Sequence, residues 1–347
     1  MSARPRVRDL GLVTGILPPG PLNAITDVPG VVVGHTTLIE GSDVRTGVTV
    51  IRVEGRDVFR QPLVGAVHVT NGFGKSLGLM QVQELGRIET PIAITNTLSV
   101  WTAAEALVDW TLERNHALSV NPVAGECNDG FLNDIVSRHV TREHVLAALR
   151  GATGGPVAEG NVGAGTGMTG FGYKAGCGTA SRRVEAAEGA FTVGVLVICN
   201  TGGPGDLVLG GLPVGRELQR RAVAARPDTE SGSIIMVLGT DAPLSSRQLG
   251  RVTRRTTHGL ARAGGISGHG SGDVTFGFST ATAPATLDEA GDLTTLCRAA
   301  IEATEEAIGN SVLTCDTMVG RDGRVMEALP LDALRAVLCV HPFRPDS

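Results

Sequence analysis

The sequence predicts a mixed α and β fold, and three observations carry that prediction. Short β-rich runs alternate with segments of helical period along the chain. Most of those runs are continuously apolar, as strands covered on both faces are. Glycine reaches 48 of 347 residues while aromatics make up only 3%. That balance favours tight turns, close backbone approaches and short strands over a helical bundle.

In chain order, strands are predicted at 31–33, 47–53 and 92–94. A helix follows from about Ser99 to Arg114 with Ser99 as its N-cap, and another from Arg142 to Leu149 behind Thr141. Strands come next at 192–199 and 233–238. The segment Leu244 to Ala263 reads as one helix with Leu249, Val252 and Leu260 on one side, stopped by Gly264-Gly265. A strand at 274–278 and a helix from Leu293 to Ile308 complete the pattern. No repeat or linker divides the chain, so a single domain over residues 1–347 is expected. One segment stands apart: a basic helix tail, Gln219 to Arg226, runs into a polar loop and then into the apolar strand that starts at Ser233. A backbone cut would be tolerated at such a junction, although composition alone reads it as an ordinary loop entering a strand.

Composition removes several function classes. The net charge is -5, and no basic run is interleaved with aromatics, which argues against a nucleic-acid surface. No apolar stretch approaches the roughly 18 residues of a membrane span, and Met1-Ser-Ala-Arg-Pro-Arg-Val-Arg8 leads into no apolar signal segment. Cys127, Cys177, Cys199, Cys297, Cys315 and Cys339 lack metal-type spacing and read as reduced thiols of a cytoplasmic protein.

Three motifs mislead. Asn71-Gly-Phe-Gly-Lys-Ser76 looks like the end of a phosphate loop, but Val69 occupies the position of its first glycine. Gly165-Thr-Gly-Met-Thr-Gly170 matches the dinucleotide fingerprint, yet the residues after it start a helix poorly. Gly268-His-Gly-Ser-Gly272 has the wrong spacing for a nucleophile elbow. His269 and Ser271 would lie side by side, roughly 6–7 Å apart, a poor geometry for proton transfer. The histidines show no metal-binding spacing.

Longer blocks carry more information. They include Asn23-Ala-Ile-Thr-Asp-Val-Pro-Gly-Val-Val-Val-Gly-His35, Thr70-Asn-Gly-Phe-Gly-Lys-Ser-Leu-Gly-Leu79, Glu84 to Ile92 and Thr95-Asn-Thr-Leu-Ser99. Further on come Gly125-Glu-Cys-Asn-Asp-Gly130, Gly160 to Met168, Gly232-Ser-Ile-Ile235 and Thr240-Asp-Ala-Pro-Leu244. In these blocks, and over nearly its whole length, the sequence resembles the DmpA-type aminopeptidases, which include L-aminopeptidase/D-amidase-esterases and β-peptidyl aminopeptidases.

The resemblance implies an α+β fold, a four-layer αββα sandwich, made as a precursor that cuts itself between Gly232 and Ser233. The products would be an α-chain, 1–232, and a β-chain, 233–347, that stay associated. Cutting would free the α-amine of Ser233, whose reference pKa of about 7.7–8.0 lets it act as general base for its own hydroxyl. Taken alone, Ser233 reads as the first residue of a core strand with a satisfied hydroxyl; the flanking blocks of resemblance turn the reading toward a nucleophile. The resemblance gives Asn200 the role of oxyanion donor, Ser271 and Asp273 that of orienting Ser233 and its amine, and Glu126 that of receiving the substrate's free amino group. From the residues alone, Asn200 is also a turn asparagine, Ser271 and Asp273 a polar strand end, and Asp129 an alternative to Glu126.

Two departures bear on specificity. Where relatives carry a tyrosine, Asn128 can donate a hydrogen bond but cannot act as an acid, and Asp273 stands where Glu is frequent. The implied enzyme is a cofactor-free, metal-free hydrolase of short peptides, amides or esters with a free amino end, assembled as a tetramer or larger homo-oligomer. An acyltransferase on the same scaffold and an uncleaved binding homologue are the alternatives.

Overall fold

Two β-sheets lie face to face with helices on both outer sides in the computed structural model, which describes residues 4–186, 189–221, 232–282, 287 and 290–340. In chain order the strands are β1 (Val31–Glu40), β2 (Val44–Val53), β3 (Leu63–Gly72), β4 (Arg87–Ile88), β5 (Ile92–Asn96), β6 (Val123–Cys127) and β7 (Thr169–Gly170). They continue as β8 (Tyr173–Lys174), β9 (Cys177–Ala186), β10 (Gly189–Asn200), β11 (Ser233–Thr240), β12 (Gly272–Ser279), β13 (Met318–Val319) and β14 (Val325–Met326). The helices are α1 (Leu79–Leu85), α2 (Val100–Leu112), α3 (Arg142–Arg150), α4 (Val214–Arg221), α5 (Ser246–Thr253), α6 (Thr256–Arg262), α7 (Asp292–Leu313) and α8 (Leu331–Val340).

One sheet has the order β1-β2-β5-β6 and the other β4-β3-β12-β11-β10-β9. Only β5 with β6 and β11 with β12 run parallel within them. The continuous apolar runs are explained by the layers. In β11, Ile234, Met236 and Leu238 join the core under α5, α6 and α7, while Ile235 and Val237 face the other sheet. In β10, Val193, Val195, Val197 and Cys199 take the helix side and Leu196 and Ile198 the sheet side. Each such side chain contributes roughly 1.5–3 kcal/mol by leaving water. On the far side, α2 and α3 cover the small sheet through Val100, Leu107, Val145 and Leu149 against Val32, Val48 and Val50.

The predicted strands all fall inside observed ones, and the helices need three corrections. Residues 244–263 form two helices, because the Thr253 and Thr256 hydroxyls turn back onto the carbonyls of Leu249 and Thr253 at the break. Ser99 makes no cap bond; the Asn96 side chain accepts the Ser99 N–H at 3.0 Å and caps the 3-10 turn that leads into α2. Helix α7 runs on past Ile308 to Leu313 through Gly309-Asn310-Ser311, a poor helical sequence. Tertiary contacts hold it: the Asn310 side chain accepts Val7 N–H and donates to Thr179 C=O, both at 2.9 Å. The basic helix tail is seen as α4 to Arg221; the polar loop before Gly232 lies outside the described residues.

A buried charge cluster ties the amino-terminal region to α7. Arg182 pairs with Glu306 at 2.7 Å and with Glu302 at 3.4 Å, all three buried. Arg8 and Asn23 also reach Glu306, and the Ile16 and Leu17 N–H groups reach Glu302. Removing one partner from such a buried set costs about 3–5 kcal/mol. No helix among the described residues is long and apolar enough to cross a membrane.

Candidate active site

Three strand ends of the large sheet converge on one rim. Antiparallel pairing sets Asn200, the last residue of β10, opposite Ser233, the first of β11. Parallel pairing sets Ser233 beside Gly272, the first residue of β12. The Gly272 N–H donates to the Ser233 hydroxyl at 3.2 Å. Ser233 has the parity of Ile235 and Val237, so its side chain points between the sheets, and only 7% of it is exposed. Gly232 is packed tightly: a Cβ there would lie 2.7 Å from the Asn200 carbonyl oxygen and from Thr201 Cα. This close approach, next to Ser233 in the chain, demands glycine.

The Asn200 amide has a defined orientation. Its oxygen accepts the Thr169 N–H at 3.0 Å, and since an amide nitrogen cannot accept that bond, the NH2 end is left as a donor with no partner among the described residues. Thr169 comes from the fingerprint-like glycine stretch, which forms a 3-10 turn and β7 with no helix after it. Dinucleotide geometry is therefore absent there.

Ser271 and Asp273 straddle Gly272 and are both buried. The Ser271 hydroxyl donates to Asp273 Oδ1 at 2.5 Å, which confirms a shared face. Alternation along β12 places that face opposite Val274, Phe276 and Phe278, on the helix side of the sheet. Burial pushes the Asp273 carboxyl above the usual carboxylate range, and its Oδ2 has no partner among the described residues. His269 is exposed, and the Ser271 hydroxyl is given to Asp273 instead.

Glu126, near the end of β6, is 2% exposed. Its Oε1 accepts the Lys75 N–H at 2.8 Å and its Oε2 the Thr97 hydroxyl. The phosphate-loop look-alike supplies this link. It leaves β3 beside β12, its Asn71 amide holds the Ser271 carbonyl, and it then crosses to Glu126. Gly74 lies between the two centres: a Cβ there would be 3.4 Å from Gly272 Cα and 3.6 Å from Glu126 Oε1. Gly74 thus spans the gap between the Glu126 carboxylate and the strand end beside Ser233.

Asn128 is exposed, and its side-chain oxygen accepts the Gly130 N–H at 2.9 Å, closing a turn. Asp129 is buried and bonded to Asn133 at 3.0 Å. Desolvation pushes its carboxyl up to about 7, so it belongs to the fold beneath the cleft. Sequence reasoning missed Thr97, Lys75 and Thr169 as holders of the site. Two of the three act through backbone N–H groups, which leave no side-chain signal. Among the described residues, no group of three or more His, Cys, Asp or Glu could hold a metal ion.

Comparison with known proteins agrees over almost the whole chain. The model of peptidase family S58 matches residues 23–326. β-Peptidyl aminopeptidase BapA of Sphingosinicella microcystinivorans is 41% identical, covering 96% of this chain and 92% of its own. The PH0078 protein from Pyrococcus horikoshii OT3 superposes with a TM-score of 0.91 at 45% identity, over 96% of this chain and 99% of that one. The L-aminopeptidase D-Ala-esterase/amidase from Ochrobactrum anthropi, described as a variant of the Ntn hydrolase fold, gives 0.87 at 37%, over 97% and 98%.

Proposed function

The chain belongs to peptidase family S58 and is a self-processing serine hydrolase of the aminopeptidase and amidase kind; from that premise we propose that it is cut between Gly232 and Ser233 and that Ser233 is its nucleophile. The single observation that carries this reading is the place of Ser233, first in a buried strand, with Asn200 and Gly272 in register on either side.

The first reaction is the cut itself. Ser233 Oγ attacks the Gly232 carbonyl carbon, the C–N bond breaks, and an ester replaces the amide. Water then hydrolyses the ester, leaving a carboxylate on Gly232 and a primary amine on Ser233. The α-chain 1–232 and β-chain 233–347 stay together because β10 pairs with β11 across the cut and Arg182 of one is bonded to Glu302 and Glu306 of the other.

Turnover uses the group that the cut creates. The Ser233 amine takes the hydroxyl proton as Oγ attacks the substrate carbonyl, then delivers it to the leaving amine as the acyl-enzyme forms. Water discharges the acyl-enzyme by the same proton path in reverse. The Asn200 NH2 and Gly272 N–H donate to the oxyanion. Ser271 and Asp273, on the opposite face from the hydroxyl, hold the freed amine. Glu126 receives the substrate ammonium, so that short peptides, amides or esters with a free amino end are preferred. Asn128, at the mouth, offers a donor but no proton. In this reading the enzyme works in the cytoplasm as a homo-oligomer of at least four subunits, the unpaired cysteines and the exposed Met80, Leu85 and Ile266 supporting it.

Denaturing electrophoresis of wild type and Ser233→Ala tests the reading. Two fragments that sum to the full chain are expected for wild type, with one uncut chain and no hydrolysis of aminoacyl anilides for the variant. Cleavage or activity that survives without the hydroxyl would end it.

A further inference from the structure

Lys174 is wholly buried, yet it is bonded to no carboxylate among the described residues. Its ammonium donates to the carbonyl oxygens of Ala175 at 2.5 Å and Gly165 at 3.1 Å. A desolvated ammonium held only by neutral carbonyls is an expensive arrangement, and a buried apolar side chain would fill the same space without that cost. Desolvation accordingly depresses its basicity, against the opposing fields of Cys315, Cys199 and Asp129.

What the ammonium holds is the support of the Asn200 amide. Lys174 sits directly opposite Thr169 in the β7–β8 ribbon. Gly165 C=O, gripped by the ammonium, also accepts the Met168 N–H, and Met168 C=O accepts the Ala175 N–H, both at 3.3 Å. The lysine therefore closes a small ring of bonds from which the Thr169 N–H emerges to orient Asn200. From the other side, Thr49 holds the Ala164 N–H at 3.1 Å and is itself bonded to His35. Burial depresses His35 to about 4, so the imidazole is neutral near pH 7 and adds no second charge.

We infer that Lys174 is a positioning residue for the reaction: by clamping the Gly165 and Ala175 carbonyls it fixes the loop whose Thr169 N–H aims the Asn200 carboxamide at the reacting carbonyl. The inference rests on the reading of Asn200 as an oxyanion donor. Misplacing that donor by a fraction of an ångström lowers kcat while leaving the ammonium site at Glu126 untouched.

The test is a double-mutant cycle with Lys174→Met and Asn200→Ala, reading kcat and KM per cleaved subunit, with Lys174→Gln in place of Met if the latter does not fold. The expected result for the lysine variant is a kcat lower by about 10- to 100-fold with KM within about twofold. In the Asn200→Ala background the same change should add almost nothing. An unchanged kcat, or a loss that multiplies with that of Asn200→Ala, would overturn the inference and leave the active-site reading standing. Failure of both lysine variants to fold would overturn it too, since the lysine would then serve the fold alone. Should Asn200→Ala by itself leave kcat unchanged, the oxyanion reading fails first.

Discussion

The two sheets bring different kinds of group to neighbouring edges on either side of Gly74. The small sheet offers one carboxylate, Glu126, set within a strand and held by a neighbouring hydroxyl and a backbone N–H. The large sheet offers strand ends, where Ser233, Asn200 and Gly272 meet and where backbone groups fall out of the ladder and become available. A charge that must be recognised can sit on the penultimate residue of a strand, because recognition asks only for a fixed carboxylate. Bond breaking asks for a free terminus and for donors aimed at a point, and only a rim supplies both.

If the rims divide the work in this way, substitutions should separate into effects on turnover and effects on binding. The largest effect short of losing Ser233 is expected at Asn200. Asn200→Ala should lower kcat of the processed enzyme by about 10²–10³, roughly 2.7–4 kcal/mol of transition-state stabilisation, with little change in KM. On the other rim, Glu126→Gln should keep kcat near normal and lower kcat/KM by about 10- to 100-fold, the worth of a charge-assisted hydrogen bond. Steady-state kinetics on an aminoacyl anilide measures both. A Glu126 variant slowed in kcat alone would erase the distinction.

The smallest effect is on stability and belongs to Asp129, behind the small-sheet rim. Its carboxyl titrates near 7 when folded and near 3.8 when unfolded. Between those values the folded chain keeps a proton that the unfolded chain has lost, so stability falls as pH rises from about 4 to about 7. Asp129→Asn has no proton to exchange there, and its urea midpoint should vary less between pH 5 and pH 8 than that of wild type. Equal pH dependence in the two proteins would mean that the buried carboxyl contributes nothing.

Much of the sandwich was legible in the sequence, for reasons that the layers make plain. Ile234 to Leu238 is continuously apolar because one set of alternate residues faces helices and the other faces a sheet. The end of α7 was decided by partners distant in sequence, Val7 and Thr179 on Asn310, whereas the break after α5 and the start of α2 turned on local side-chain bonds that hydrophobic period does not show. The site was legible only through long blocks of resemblance, since a lone serine opening a strand carries no chemistry on its face. Both glycine stretches dismissed as false nucleotide motifs serve the cleft. One carries Lys75 N–H to Glu126 and the other Thr169 N–H to Asn200. Their chemistry lies in the backbone, where residue identity is silent.

Intact mass together with amino-terminal sequencing of the smaller fragment of the purified protein tests the cut before Ser233 most directly. The expected result is a fragment that begins Ser-Ile-Ile-Met at residue 233 and a larger partner that ends at Gly232. A fully active enzyme whose chain is unbroken, or cut at any other bond, would contradict it.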